Sequence, residues 1–459
     1  SVMITSLHIR NFKSWADTGE MRLAPITGLF GANSSGKTSI LQFLLLLKQT
    51  VDSKDRQRVL HLGDERSLIS LGSFHDILHR HQIERALDFE LHWRPFGMRL
   101  PGLSAQPSPR KVQATAPTDE LSFSAAIRSV RAGELDVMHV ERFAYRFRER
   151  ALGLVPGYCL VAEGYPNQEE LQAPGNLPAP DRFYGFPREV EASRSQAEDI
   201  EDFTAAFEKL FDRLYYLGPL REYPHRSYLW TGAVPGDVGP RGEGAIPALI
   251  AARTRNGSMD SVDAFGARPL EHRVAAWLQR LGLVFDFTLQ AVTPSAREYE
   301  VKVRQTAGSA EVLITDVGFG VSQVLPVLVL CYYAPEGSIL LLEQPEIHLH
   351  PAVQAGLADV FVEVMKERRI QIILESHSEH LMRRLQRRIA EEQLRPEQAA
   401  LYFTTMVDGA SRLERLQLDR FGNITNWPQD FFGDEFGELA AMAEAEMRRQ
   451  QAEEATQTA

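Results

Sequence analysis

The chain has 459 residues, 44% hydrophobic and 24% charged, so wholesale disorder is excluded and there is room for about three average domains. A net charge of −11 excludes a uniformly cationic, histone-like nucleic-acid binder, and two cysteines, Cys159 and Cys331, are too few for a disulfide framework. No apolar run reaches the roughly 18 residues of a membrane span and no basic-apolar-small signal pattern opens the chain, so a reducing cytoplasm and no membrane partner are expected. Ser1 and Val2, ahead of Met3, read as a cloning remnant.

In chain order, MITSLHIRNF (3–12) alternates as a strand, and PITGLFG (25–31) is a second short apolar run ending on glycine. TSILQFLLLLKQTV (38–51) is apolar on nearly all sides and predicts a buried helix. LDFELHW (87–93), LSFSAAIRSV (121–130) and VERFAYRFRER (140–150) have period-two character and predict an antiparallel sheet. In the last, Phe143, Tyr145 and Phe147 share one face, while Arg142, Arg146, Arg148 and Arg150 share the other, a solvated face or a nucleic-acid contact. Residues 101–120 and 165–183 are rich in Pro, Ala and polar residues and predict exposed loops. Helices are expected over 199–215 and 268–282, with an ordered irregular segment over 216–247. Then come strands (284–291, 298–304), a helix (321–333), a strand (338–343), a helix (351–367), a strand (369–375), a helix (377–392) and a last core strand near 401–405, an alternation that implies a largely parallel sheet.

GANSSGKT (31–38) fits G-x-x-x-x-G-K-[ST] between a strand and a helix. The amides of a glycine loop and a helix N-terminus cradle phosphate oxygens, so Gly31, Asn33, Ser34, Ser35, Gly36, Lys37, Thr38 and Ser39 are candidate nucleotide contacts. Lys37 would neutralise the β and γ phosphates, and the Thr38 hydroxyl would ligate Mg²⁺. ILLLE (339–343) delivers Glu343 to the C-terminal end of a buried strand, where ligands of parallel sheets gather, and makes it the candidate acid for Mg²⁺. IQIILESH (370–377) repeats the pattern and sets His377 just past its strand. DVGFGVSQ (316–323) puts Gly318, Gly320, Ser322 and Gln323 ahead of an apolar helix, either a second anion-binding helix start or an ordinary cap with Ser322 at the entry.

The order GANSSGKT, DVGFGVSQ, LLLEQPEIHLHP and ILESHSEHL resembles the ATPase heads of the ABC/SMC class, more narrowly the RecF/OLD-like bacterial AAA ATPases. YYLGPLR (215–221) and NWPQDFFGDEFGEL (426–439) resemble the subgroup with a C-terminal domain of unknown function. The implied fold is an α/β P-loop NTPase of ABC/SMC-head type, a mixed sheet with an antiparallel subdomain and an inserted helical or irregular module. The implied assembly is a head-to-head dimer sandwiching two ATP and Mg²⁺, with Gly320 and Ser322 of one copy facing Lys37 and Thr38 of the other and His377 sensing the γ-phosphate. The division expected is an N-terminal nucleotide-binding lobe (3–165), an inserted module (166–283), a C-terminal nucleotide-binding lobe (284–405) and an extension (406–459). That extension has no evident acidic cluster for a Toprim nuclease, and the chain lacks the long heptad repeats of SMC arms. His348, His350, His377 and His380 belong to the family motifs rather than to a zinc site.

Gln344 stands where this class carries its catalytic glutamate, and a carboxamide cannot accept the water's proton. Glu346 can serve instead if Pro345 turns the chain back; or positioning and charge suffice, since phosphoryl transfer asks little of a base; or the protein is a slow ATP-gated switch. The resemblance implies a bacterial anti-phage or anti-plasmid ATPase acting with a separately encoded nuclease or effector, with DNA as a partner and a dimer or higher oligomer as the assembly. A RecF-like repair factor and a non-hydrolysing ATP-held scaffold are the alternatives. Besides Arg142, Arg146 and Arg148, the run Arg383, Arg384, Arg387 and Arg388 is a candidate DNA surface.

Overall fold

The computed structural model describes residues 2–95, 120–164, 177–191, 197–255, 270–294, 297–428, 431, 441–449 and 451. Most of the two Pro-rich loops, 101–119 and 165–176, and most of the 426–439 motif lie outside the described residues. Strands β1 (Met3–Phe12), β2 (Trp15–Asp17) and β3 (Met21–Arg22) precede β4 (Ile26–Gly31). Then follow β5 (Leu87–Arg94), β6 (Leu121–Ala132), β7 (Leu135–Phe147), β8 (Arg150–Val155) and β9 (Cys159–Glu163). Without β4, these form one antiparallel sheet in the order β2-β1-β5-β6-β7-β8-β9, with β3 on β1. The stretch 140–150 is therefore the end of one strand, a tight turn with Arg148 at φ 55, and the start of the next.

β4 belongs instead to a second sheet, with β10 (Leu214–Leu217), β15 (Ile339–Glu343), β16 (Gln371–Glu375), β17 (Ala399–Val407) and β18 (Ala410–Leu416), in the order β10-β15-β16-β4-β17-β18. All of its pairs are parallel except β17–β18. Between β10 and β15 the chain also forms a small antiparallel sheet of β11 (Tyr228–Leu229), β12 (Asp286–Ala291), β13 (Glu298–Arg304) and β14 (Val312–Leu313). The helices that frame these sheets are α1 (Lys37–Asp52), α2 (Ala197–Asp212), α3 (Ala245–Arg255), α4 (Leu270–Arg280), α5 (Phe319–Tyr333), α6 (Pro351–Arg368) and α7 (Glu379–Ala390).

The pleat explains why the central strands read as unbroken apolar runs. Ile339 and Leu341 point into one core, shared with α1, α2 and the antiparallel sheet, while Leu340 and Leu342 point into a second, shared with α3 to α7. A strand buried on both faces has no polar side to show. The helix expected over 199–215 stops at Asp212, and Leu214–Leu217 is a strand beside β15. Thus β10 of the expected inserted module and β18 of the expected extension are both strands of the central sheet.

Gln371 links the two large sheets. Its Oε1 accepts from Ile4 N at 2.9 Å, and its Nε2 donates to Ile4 O at 2.7 Å and Ala24 O at 3.1 Å. Among the described residues no helix is long and apolar enough to cross a membrane.

Candidate nucleotide site

The glycine loop runs from the end of β4 to the start of α1, and its backbone needs glycine at two places. Gly31 sits at φ 137 and Gly36 at φ 100; a Cβ on Gly36 would lie 2.3 Å from Ser411 Oγ, and one on Gly31 2.3 Å from Thr404 O. Trp15 Nε1 donates to Gly36 O at 2.9 Å and Ser35 Oγ pairs with Thr404 Oγ1 at 2.5 Å, so β1–β2 and β17 clamp the loop from outside. Asn33 and Ser34 are exposed at its crest, Ser34 in the left-handed region at φ 61. Ser39 lies half-buried in the first turn of α1. Buried Lys37 crosses the mouth and donates to Gly31 O and Ala32 O, each at 2.7 Å. Burial pulls its ammonium below the usual lysine range, an effect that Glu375 and Glu346 oppose.

Two carboxylates stand side by side next to this loop. In the β15–β16 ladder Glu343 is the register partner of Glu375, and Glu375 in turn pairs with Leu29 of β4. Parallel strands in register deliver both acids to one edge, the carboxyl end, where β4 opens into the loop. Glu375 Oε2 accepts from Thr38 Oγ1 at 2.8 Å, and Glu343 Oε2 accepts from Tyr216 Oη at 2.6 Å. Burial raises both acids above the usual carboxylate range. A threonine hydroxyl beside two carboxylates is a hard oxygen donor set and fits Mg²⁺, so Thr38, Glu343 and Glu375 are the residues that would hold it.

Beyond β15 the chain turns sharply. Gln344 takes φ 46, its amide donates to Glu375 O at 2.9 Å, and Ile347 N closes back on Gln344 O at 3.1 Å. The turn carries Glu346 inward: it is 5% exposed, and its Oε1 accepts from His377 N at 2.8 Å. Burial raises this carboxyl too. Gln344 Nε2 stands 3.4 Å from His377 Nε2, and the His377 ring, held toward its neutral form first by burial and then by Lys37, hydrogen-bonds to the Gly31 backbone. Lys37, Thr38, Glu343, Gln344, Glu346 and His377 are thereby brought together in one chain.

Gly318, Gly320, Ser322 and Gln323 are not part of that cluster. Gly318 caps α5 without a side-chain bond, so Ser322 is not the helix entry; it lies half-buried in the first turn with Oγ on Phe319 O at 2.9 Å, while Gln323 is buried. Among the described residues no hydrogen bond joins this segment to the glycine loop. Phe319 instead packs edge-on against His348 and Tyr223, with ring centroids at 6.1 and 6.0 Å. His350 accepts from Ala352 N through Nδ1 and caps α6.

Two site residues were not singled out from the sequence. Glu375 was hidden because its role depends on register with Glu343; the signal was the repeated ending of ILLLE and IILE. The other is Arg221, just after β10. It is 7% exposed, and its Nε, Nη1 and Nη2 are all buried without a hydrogen-bond partner. Burial pulls its pKa down to about 10 against the opposing pull of Tyr216, Glu346 and Glu343.

Of the candidate DNA arginines, Arg148 lies over the Phe147 ring and the other six pair with acids of their own chain. Arg142 pairs with Asp88, Arg146 with Glu163, Arg383 with Glu379, Arg384 and Arg388 with Asp359, and Arg387 with Glu391.

Residues 3–88 match the sequence family described as "AAA ATPase domain", and residues 274–383 match "AAA domain, putative AbiEii toxin, Type IV TA system". Residues 394–442 match "Protein of unknown function (DUF3696)". No curated protein matches the chain. Among solved structures, the SMC head domain from Thermotoga maritima is 13% identical, covering 90% of this chain and 99% of that one, with a TM-score of 0.39. An SMC head with an extended coiled coil bound to the C-terminal domain of ScpA, from Pyrococcus furiosus, is 14% identical, covering 91% and 97%, with a TM-score of 0.42. The glycine loop, the parallel strands that carry its acids and the flanking antiparallel sheet give the chain an α/β fold of P-loop NTPase type, and AAA domain families match it over 3–88 and 274–383.

Proposed function

We propose that the protein is an ATP- and Mg²⁺-dependent switch that closes head to head with a second copy and turns ATP over slowly. The observation that carries ATP binding is the convergence of Lys37, Thr38, Glu343 and Glu375 at the carboxyl edge of parallel strands. Turnover is assigned to Glu346. Gln344 cannot take a proton, whereas Glu346 is a buried carboxyl whose pKa burial raises, which makes its carboxylate the stronger base. His377 reports the γ-phosphate from the same cluster.

Dimerisation is supported by what the single chain leaves open. Among the described residues Ser322 and Gly320 make no hydrogen bond to their own glycine loop, which leaves them available to a partner's copy. Leu220 and Tyr223, each 71% exposed, and Phe319, 48% exposed, give the facing surface an apolar character. A setting in bacterial defence, with a separately encoded nuclease or other effector, draws support from the toxin–antitoxin description of the family matching 274–383. DNA enters this reading through the effector, since six of the candidate arginines already hold acids of their own chain.

The test is steady-state ATP hydrolysis, with and without duplex DNA, for the native protein beside Lys37→Ala, Glu343→Gln and Glu346→Gln. We expect measurable native turnover, loss of binding in Lys37→Ala, and in Glu346→Gln retained binding with turnover reduced about a hundredfold or more. Native protein that binds ATP yet hydrolyses no faster than Lys37→Ala would instead be a scaffold that nucleotide closes and something else opens.

A further inference from the structure

Among the described residues Arg221 is the arginine with every side-chain nitrogen buried and unbonded; Arg128 and Arg182 each leave only Nε so. A guanidinium carries five donors, and burying it without partners is strongly unfavourable unless an anion arrives to meet it. The backbone that presents it is fixed. β10 pairs with β15, Leu217 opposite Leu342, and the following segment is held by Gly218 N on Pro240 O at 2.8 Å and Glu222 N on Arg241 O at 2.9 Å. Gly218 fits there because a Cβ would come within 2.9 Å of the Tyr216 hydroxyl, the group that orients Glu343. Tyr216, Glu346 and Glu343 are the groups whose charge acts on Arg221, the two acids belonging to the cluster around Lys37, yet none of the three is hydrogen-bonded to it.

We propose that Arg221 donates to the terminal phosphate of bound ATP, and that this contact is what makes the site distinguish ATP from ADP. The missing partner is an anionic oxygen that arrives with the ligand. A guanidinium meets phosphate oxygens with two parallel N–H bonds, a match that a single ammonium such as Lys37 lacks. Without nucleotide the cation is held off water among carboxylates; with ADP it stays unmatched; with ATP it is satisfied. This rests on the reading of the glycine loop as an ATP site, and it does not depend on whether Glu346 supports turnover.

The experiment uses the full-length protein, measuring Mg·ATP, non-hydrolysable ATP analogue and Mg·ADP affinities by calorimetry for the native protein, Lys37→Ala, Arg221→Met and Arg221→Lys. Melting of the nucleotide-free proteins is followed in parallel. Native protein should prefer ATP; Arg221→Met should lose about ten- to hundredfold of that preference while ADP affinity stays within about twofold. Arg221→Lys should fall between them. Nucleotide-free Arg221→Met should melt no lower than native, because an apolar side chain of similar length replaces an unpartnered buried charge. An unchanged ATP preference in Arg221→Met, or a parallel loss of ATP and ADP affinity, overturns the proposal. If Arg221→Met does not fold, Arg221→Lys decides, and native-like ATP preference in it overturns the proposal equally. Failure of the native protein to bind either nucleotide removes the ATP reading and this inference with it, an outcome distinct from binding without Arg221 dependence.

Discussion

Gly36 is the residue on which the glycine loop turns. At φ 100, with Ser411 Oγ and Ser14 Oγ 2.3 and 2.8 Å from where a Cβ would stand, it has neither the backbone freedom nor the space for a side chain. Gly36→Ala should cost about 1–3 kcal/mol in denaturant unfolding and abolish nucleotide binding; retained binding would mean that Ser411 of β18 and Ser14 yield. Glu343, Glu346 and Glu375 all titrate above the ordinary carboxylate range, burial being the leading cause in each. A carboxyl whose folded pKa exceeds its unfolded one contributes stability that is complete below the unfolded pKa and is lost as pH rises through the folded pKa. Nucleotide-free protein should therefore lose melting temperature as pH rises from the ordinary glutamate range, about 4.3, toward neutrality, and Glu346→Gln should lose less over that window. Identical slopes would remove Glu346 from the group. The contiguous loop residues were legible in the sequence because their spacing is itself the chemistry. Glu375 and Arg221 were not, since one depends on strand register and the other on a contact that is missing.

Among the elements, the apolar strands and helices of the second half were readable because length and apolar periodicity agree there. β10 is split in the sequence between a helix expected to end at 215 and an irregular segment from 216, because Leu-Tyr-Tyr-Leu is too short to show a period of its own; the parallel neighbour β15 decides it. The arginine-rich face of α7 shows the opposite limit. In sequence it reads as a surface for a polyanion, but Arg384 and Arg388 converge on Asp359 of α6, itself 18% exposed in its side chain, and lock the two helices together. Asp359→Ala takes the acid from Arg384 and leaves Arg388 only Glu391 at the end of its own helix, and should cost about 1–3 kcal/mol, measured by denaturant unfolding, while ATP affinity stays native. A shift in ATP affinity as large as the stability loss would show that α7 also shapes the site.

At the scale of the molecule, the surface bearing Leu220, Tyr223 and Phe319 is expected to be silent without ATP and adhesive with it. Sedimentation should show a monomer with ADP and a dimer with a non-hydrolysable ATP analogue, and Leu220→Asp or Phe319→Asp should abolish the dimer while leaving ATP affinity per monomer within about threefold. A dimer that forms equally well with ADP would place the contact elsewhere. The position of β4 has a separate consequence. It is spoken for by β16 on one side and β17 on the other, so the strand that opens the glycine loop finds both neighbours only after residues 371–407 exist. Contacts this distant in sequence close late. During synthesis the chain must carry its phosphate-binding loop for most of its length with no floor beneath it, and the N-terminal antiparallel sheet, whose pairings are nearer in sequence, is the part able to form first. The glycine loop is therefore flanked on both sides only once the residues through 407 have been made.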